Sequence, residues 1–223
     1  MAGAPTTYAE LQTSIQRWMN DNTTYVDVIG EIIALTEKRL SRELSASDME
    51  GSTTLSLVNG TTALPTDFLE LRSAYIVFND RRYTLEPDTE QDFTQGFNQT
   101  VVTGSVPTRF NIGTGNFSVR PIGDVYPVSI TYKRAIPALS DANPTNWLLA
   151  KWPDLYISAC IATAALFGFE DSRLPLLSAN ADALVEEINT AGRRARYGTG
   201  PLVARAPVGD GCSRFMAVPL VTL

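Results

Sequence analysis

The sequence has no histidine, three lysines and two cysteines among its 223 residues, and each scarcity removes a class of chemistry. Without histidine there is no Ser-His-Asp or Cys-His catalysis, and the ordinary ligand set of a zinc site is missing. No Ser-x-x-Lys precedes Lys38, Lys133 or Lys151, so that Ser-Lys dyad is absent as well. Gly113-Thr114-Gly115 lacks the third glycine of a dinucleotide fingerprint, and no Gly-x-x-x-x-Gly-Lys loop occurs. The expectation is a chain that is not an enzyme and carries no cofactor. Cys160 falls in an apolar helical stretch and Cys212 near the C-terminus; no disulfide framework follows, and they read as a buried small hydrophobe and an incidental thiol respectively. No apolar run reaches the ~18 residues of a membrane span, and residues 1–20 do not follow the order of a secretion signal. A cytoplasmic start with no membrane partner is expected.

Charge is present but unevenly placed. The net charge of −6 and pI near 4.7 argue against general affinity for nucleic acid, which relies on Lys and Arg neutralising phosphate. From residue 193 onward the chain has five arginines (Arg193, Arg194, Arg196, Arg205, Arg214) against one acid, Asp210, leaving about −10 on the rest. An acidic body and a basic C-terminal arm result. The arm is rich in Gly, Pro, Arg and Val without helical period, cannot build a core of its own, and has the composition of a segment that orders on a partner.

Thr7-x-x-Glu10 is a capping-box pattern, and Tyr8, Leu11, Ile15, Trp18 and Met19 recur at helical spacing, predicting a helix over 7–20. A short polar link leads to a second helix started by Thr24 and Asp27, with Tyr25, Ile29, Ile32, Ile33, Thr36, Leu40 and Leu44 as its stripe and the first two helices antiparallel. After Gly51 the texture turns to strand chemistry, with two-residue turns at Asn59-Gly60 and Asn79-Asp80 and a third hairpin about Gly113-Thr114-Gly115. Residues 128–134 form the last strand, 88–93 a short helix and 97–107 a polar loop. Helical signals return at Asn143-Pro144-Thr145 and Trp152-Pro153-Asp154, opening a run over 155–167 that is apolar on nearly every side and therefore central. A last helix follows Asp171, with Leu174, Leu177, Ala181, Leu184, Val185 and Ile188 facing inward and Gly192 as its stop. The fold class is α+β: a mainly helical bundle from both chain ends (1–50 and 140–192), an inserted small antiparallel sheet or barrel (51–139), and an extended C-terminal arm (193–223).

Two clusters invite chemistry and have plainer readings. Glu86, Asp88, Glu90 and Asp92 have the oxygens for a hard cation but miss the calcium-loop spacing, so a solvated acidic loop is the better reading. Tyr75, Tyr83, Phe110, Phe117, Tyr126 and Tyr132, with Arg81, Arg82, Arg109 and Arg120 nearby, would make a stacking platform for sugars or single strands if they shared a face. Small sheets more often bury such rings for packing.

Leu64-Pro65-Thr66-Asp67-Phe68-Leu69-Glu70-Leu71-Arg72-Ser73, Pro107-Thr108-Arg109-Phe110-Asn111-Ile112 and Phe117-Ser118-Val119-Arg120-Pro121 resemble blocks of the SU10-like adaptors of tailed phages. The most telling block is Ile130-Thr131-Tyr132-Lys133-Arg134-Ala135-Ile136-Pro137-Ala138-Leu139-Ser140-Asp141, followed by Asn143-Pro144-Thr145-Asn146-Trp147-Leu148-Leu149 and Pro153-Asp154-Leu155-Tyr156. The resemblance covers about residues 8–190. It implies a virion structural protein at the head-tail interface, assembled in the host bacterial cytoplasm. Its copies would form a ring, commonly twelve, docked on the portal protein and joined to a tail, nozzle or tail-terminator protein, with genomic DNA passing through the lumen unbound. It implies no catalytic residue and no metal. The partner-binding residues expected on the arm are Arg193, Arg194, Arg196, Tyr197, Arg205, Arg214 and Phe215. The competing reading is a tail- or baseplate-associated protein whose β module binds carbohydrate or a partner.

Overall fold

The computed structural model describes residues 3–19, 26–95, 105–123, 126–167 and 174–197. Helix α1 (Tyr8–Met19) buries Leu11 and Ile15, as its stripe requires. Its first turn closes through Thr7 Oγ1, which accepts from Glu10 N–H at 3.4 Å, while the Glu10 carboxylate takes the Thr6 N–H and hydroxyl, each at 2.8 Å. The return leg of the capping box thus lands one residue upstream of the expected Thr7. Helix α2 (Ile29–Glu43) starts later than the sequence signals suggest: Val28 occupies the N-cap without a side-chain bond, Asp27 lies in the preceding turn, and Thr24 and Tyr25 fall outside the described residues. α1 and α2 each pack against α5 more than against one another.

A 3₁₀ turn (Ser47–Met49) leads into β1 (Glu50–Leu55), β2 (Thr61–Ala63), β3 (Phe68–Phe78), β4 (Arg81–Thr84), β5 (Glu86–Pro87), the short α3 (Glu90–Gln95), β6 (Arg109–Gly113), β7 (Asn116–Arg120) and β8 (Val128–Arg134). All three turns occur where the sequence places them. Asn59-Gly60, Asn79-Asp80 and Thr114-Gly115 have positive φ at both central positions, the geometry of two-residue turns that match strand twist. At Gly60 a Cβ would also stand 3.0 Å from the Ile122 side chain, so a side chain there would be strained and Ile122 would have to give way.

Strand pairing corrects the expectation of one antiparallel sheet or barrel. There are two four-stranded sheets, one in the order β1-β8-β3-β4 and antiparallel throughout, the other β2-β7-β6-β5 with β5 and β6 parallel. The Asn59-Gly60 turn is closed by an antiparallel Val58–Thr61 pair, as a two-residue hairpin turn is, but the pairing goes no further and the turn carries the chain from one sheet to the other: β1 pairs with β8 and β2 with β7. Turn chemistry is local and was legible; the partner of β1 lies at the far end of the inserted region. Both sheets bury one face in a shared cluster that includes Leu55, Ala74, Ile76, Phe110, Phe117, Val119, Val128, Ile130 and Tyr132.

Asn146 caps α4 (Trp147–Lys151), its side chain accepting from Leu149 N–H at 2.8 Å, whereas Asn143 belongs to the turn before it. Pro153 occupies the first turn of α5 (Pro153–Phe167), where its missing N–H costs nothing. α5 touches α1, α2, α4 and α6 and buries Leu155, Tyr156, Ala159, Cys160, Ala162 and Ala164. Burial pushes the Cys160 thiol up to about 12, so it stays protonated and inert. Helix α6 (Leu174–Tyr197) passes through Gly192 and does not stop there. A Cβ at Gly192 would stand 2.8 Å from Ser45 O, so this glycine serves a close helix-to-backbone approach. A second apolar cluster draws on α1, α2, α4, α5 and α6 together with Met49, Ile136 and Leu139. Among the described residues no helix is long and apolar enough to cross a membrane.

Candidate functional site: the joint between helices and sheets and the end of α6

The chain passes between helices and sheets twice, at residues 44–50 and 134–139, and at both passages backbone groups are held by side chains. At the first, the outgoing end of α2 is capped from other elements. Lys133 Nζ donates to Arg42 O at 3.2 Å, and Asn189 donates to Glu43 O at 3.1 Å while accepting from Ser45 N–H at 2.6 Å. Arg196 then donates to Ser45 O at 3.0 Å and Ala46 O at 3.2 Å, and its Nε lies 2.6 Å from Glu50 Oε1. Arg134 reaches Asp48 O, and Lys151 pairs with the Asp48 carboxylate at 2.6 Å. The last carbonyls of α2, which have no partner within the helix, are thereby satisfied by cationic and amide donors suited to a negative helix end.

At the second passage α2 acts as a rail. Ser41 Oγ accepts from Ile136 N–H at 3.2 Å, and Glu37 Oε1 accepts from Leu139 N–H at 3.0 Å and from the Tyr156 hydroxyl at 2.9 Å. Asn146 donates to Pro137 O at 2.9 Å and to Tyr156 Oη at 2.7 Å, tying the α4 cap into the same network. Glu37 is only 4% exposed, and burial holds its carboxyl above the ordinary carboxylate value against the opposing pull of the Leu139 N–H and Tyr156 hydroxyl. Burial, with Glu37 beside it, likewise raises the Tyr156 phenol, which therefore donates and does not ionise. Lys133, also buried, is shifted down by desolvation.

The residues expected on the C-terminal arm divide in three. Arg194, Arg196 and Tyr197 lie in the last turn of α6 and Arg193 just before it, so the arm does not begin at 193. Arg193 binds Glu186 at 2.7 Å and Thr190 Oγ1 at 2.9 Å, a contact that holds the Glu186 carboxyl below its usual range. Arg194 is exposed, whereas Arg196 is folded into the joint. Arg205, Arg214 and Phe215 lie outside the described residues.

Among the described residues no three acidic, histidine or cysteine side chains converge as a cation would require, and the Asp92 side chain lies outside the described ones. Asp88 instead pairs with Arg109 at 3.1 Å, and its backbone carbonyl accepts from Asn111 at 3.0 Å, fixing the entry to α3 against β6. The aromatic residues split between faces. Phe110 and Phe117 stack at 5.2 Å in the interior and Tyr132 stacks on Phe68, as packing predicts. Tyr75 lies under the Arg82 guanidinium at 4.8 Å, and Phe78 meets Tyr126 edge-on. A groove of about 430 Å³ runs past Phe78, Arg82, Tyr83, Thr84, Val106, Pro107 and Thr108.

Glu37, Ser41, Asn189 and Gly192 were missed by sequence reasoning. The first two had a signal: they stand on the apolar stripe of α2, between Ile33 and Leu44, where a solvated acid or serine does not belong. The arrangement orients two substructures relative to the chain that joins them. The strand-to-helix block carrying the resemblance coincides with the second passage, since Ile136, Leu139, Asn146, Leu148, Leu149, Leu155 and Tyr156 are all buried there. No curated protein matches the sequence. The family model described as SU10 adaptor protein matches residues 6–205. The chain belongs to that family of phage adaptor proteins.

Proposed function

We propose that the chain is a virion structural protein that forms a head-to-tail adaptor ring, a dodecamer, docked on the portal protein and joined to a tail, nozzle or tail-terminator protein. The observation that carries this reading is the family match over residues 6–205. In this reading the helices of 1–50 and 140–192 form one module and 51–139 an inserted β module, while the arm starts at 198, after α6, and not at 193. The role is non-enzymatic and takes no cofactor. Assembly occurs in the bacterial cytoplasm and the product sits at the head-tail interface. The acidic body, about −10 before residue 193, would repel phosphate wherever it lines the lumen, letting DNA pass without sticking.

The partner contact is assigned to Arg194 and to the arm with Arg205, Arg214 and Phe215. Arg196 is left out of this assignment because it engages Ser45, Ala46 and Glu50. Co-sedimentation with portal rings, using the full chain and a chain ending at Tyr197, tests this; the shortened chain should fold cooperatively but bind portal at least about tenfold more weakly. Equal binding would remove the arm from the contact.

The groove beside β4, with Tyr83 exposed and Arg82 over Tyr75, favours a second reading in which the β module binds carbohydrate or a tail partner. Glycan binding by the isolated chain, lost in Tyr83→Ala, would support it.

A further inference from the structure

Three features meet at β4, one of the two edges of the all-antiparallel sheet. The first is an open backbone. All four residues, Arg81-Arg82-Tyr83-Thr84, are exposed, and their inner side is in unbroken register with Tyr75–Phe78 of β3. Among the described residues no backbone group bonds to the outer side of β4. Its free N–H and C=O groups are a template for a further strand. The second feature is the groove of about 430 Å³ beside this edge, which Arg82, Tyr83 and Thr84 line together with Phe78, Val106 and Pro107. Phe78 is set against Tyr126 edge-on at 5.6 Å and stands 6.3 Å from the Tyr83 ring, so apolar and aromatic surface flanks the open backbone.

The third feature is charge. In a chain of net charge −6, Arg81 and Arg82 stand side by side, and among the described residues neither meets a carboxylate. Arg82 lies over the Tyr75 ring at 4.8 Å instead. At the other edge of the same sheet, β1, the one charge, Glu50, is already taken by Arg196. Cations on an edge discourage a neutral or basic strand. The same two cations favour an acidic one, because opposite potentials across a contact select the partner.

We infer that the groove beside β4 takes an extended acidic segment of a partner protein as an added strand, its backbone bonded to β4, its carboxylates on Arg81 and Arg82, and its apolar side chains against Tyr83 and Phe78. The four residues of β4 extend over roughly 13 Å, which sets the length of the contact. The inference rests on the reading of the β module as a binding surface and names what that surface binds; it does not rest on the portal ring.

Chemical-shift mapping on the full chain, with end-capped peptides at up to millimolar concentration, tests it. A peptide alternating Asp and Val should shift the Arg82, Tyr83 and Thr84 amides and slow exchange of the β4 amides that face away from β3, whereas one alternating Lys and Val should not. The double variant Arg81→Gln with Arg82→Gln, two exposed changes outside the core, should bind the acidic peptide at least about tenfold more weakly. The same peptide fully N-methylated should also lose binding, which a purely ionic contact would keep. Equal binding of the acidic and basic peptides overturns the inference, as does binding that survives the double variant or the methylation. A neutral cello-oligosaccharide that shifts these amides while the acidic peptide does not overturns the strand but leaves the β module a binding surface. Silence from both probes overturns the strand and the groove together.

Discussion

The helices and the sheets are held together by different means. Every buried polar or charged side chain among the described residues (Thr36, Glu37, Ser41, Lys133 and Asn146) lies in the helical region or at its joint with the sheets, whereas the cluster between the two sheets is apolar and aromatic. Apolar packing is non-directional and tolerates small rearrangements, while a buried hydrogen bond is met in one geometry and costs its desolvation in the others. The sheets can therefore be stable on packing and turn geometry alone. The helices additionally fix the direction in which the chain enters and leaves the sheets.

Removing a ring from the sheet cluster is the largest test of this contrast. Phe117→Ala, at a fully buried position stacked on Phe110, should lower stability by about 3–5 kcal/mol in chemical denaturation. Glu37→Ala should cost less, about 2–3 kcal/mol, because it orphans Leu139 N–H and the Tyr156 hydroxyl while deleting little apolar area. A double-mutant cycle with Tyr156→Phe should be non-additive, since the two side chains share one bond. If Glu37→Ala were silent, the polar rail would not be holding the second passage.

Gly192→Ala separates close approach from helix propensity. Alanine is favoured in a helix by about 1 kcal/mol, yet its Cβ would meet Ser45 O at 2.8 Å, so a net loss of about 1–2 kcal/mol is expected. A gain in stability would mean that α6 moves freely from the joint. Smaller again is the pH effect at Glu37, whose carboxyl is held above its ordinary value of 4.5 by burial. The native state then keeps a proton that the unfolded chain releases. Below about pH 4 both forms are protonated and no penalty exists; as pH rises through the raised native value the wild type should lose stability relative to Glu37→Gln, then run parallel to it. Parallel curves over the whole range would show that Glu37 is not perturbed. Arg193→Ala, removing an exposed pair with Glu186, should change stability by less than about 0.5 kcal/mol.

Periodicity and turn chemistry made most elements legible, because both are local. Ile29, Ile32, Ile33 and Leu40 lie on one buried face of α2, and Asn59-Gly60 turns as Asn-Gly should. What escaped was non-local. That β1 pairs with β8 and not with β2 depends on two strands distant in the chain, and no spacing rule reports it. Gly192 looked like a stop because glycine commonly ends helices, and only the Ser45 carbonyl across the joint explains it. The joint itself was half visible: its strand-to-helix block stood out as a pattern, but the α2 residues gripping it did not. Arg196 was read as part of a patternless basic arm, because nothing in the sequence says that Ser45 and Glu50 lie beside it.

The most direct test of the adaptor account is particle mass by light scattering with electron-microscopy class averages, for the chain alone and mixed with portal rings of its own phage. The account predicts a twelve-fold ring stacked on the portal. A chain that stays monomeric and ignores the portal would contradict it and move the weight to the groove beside β4.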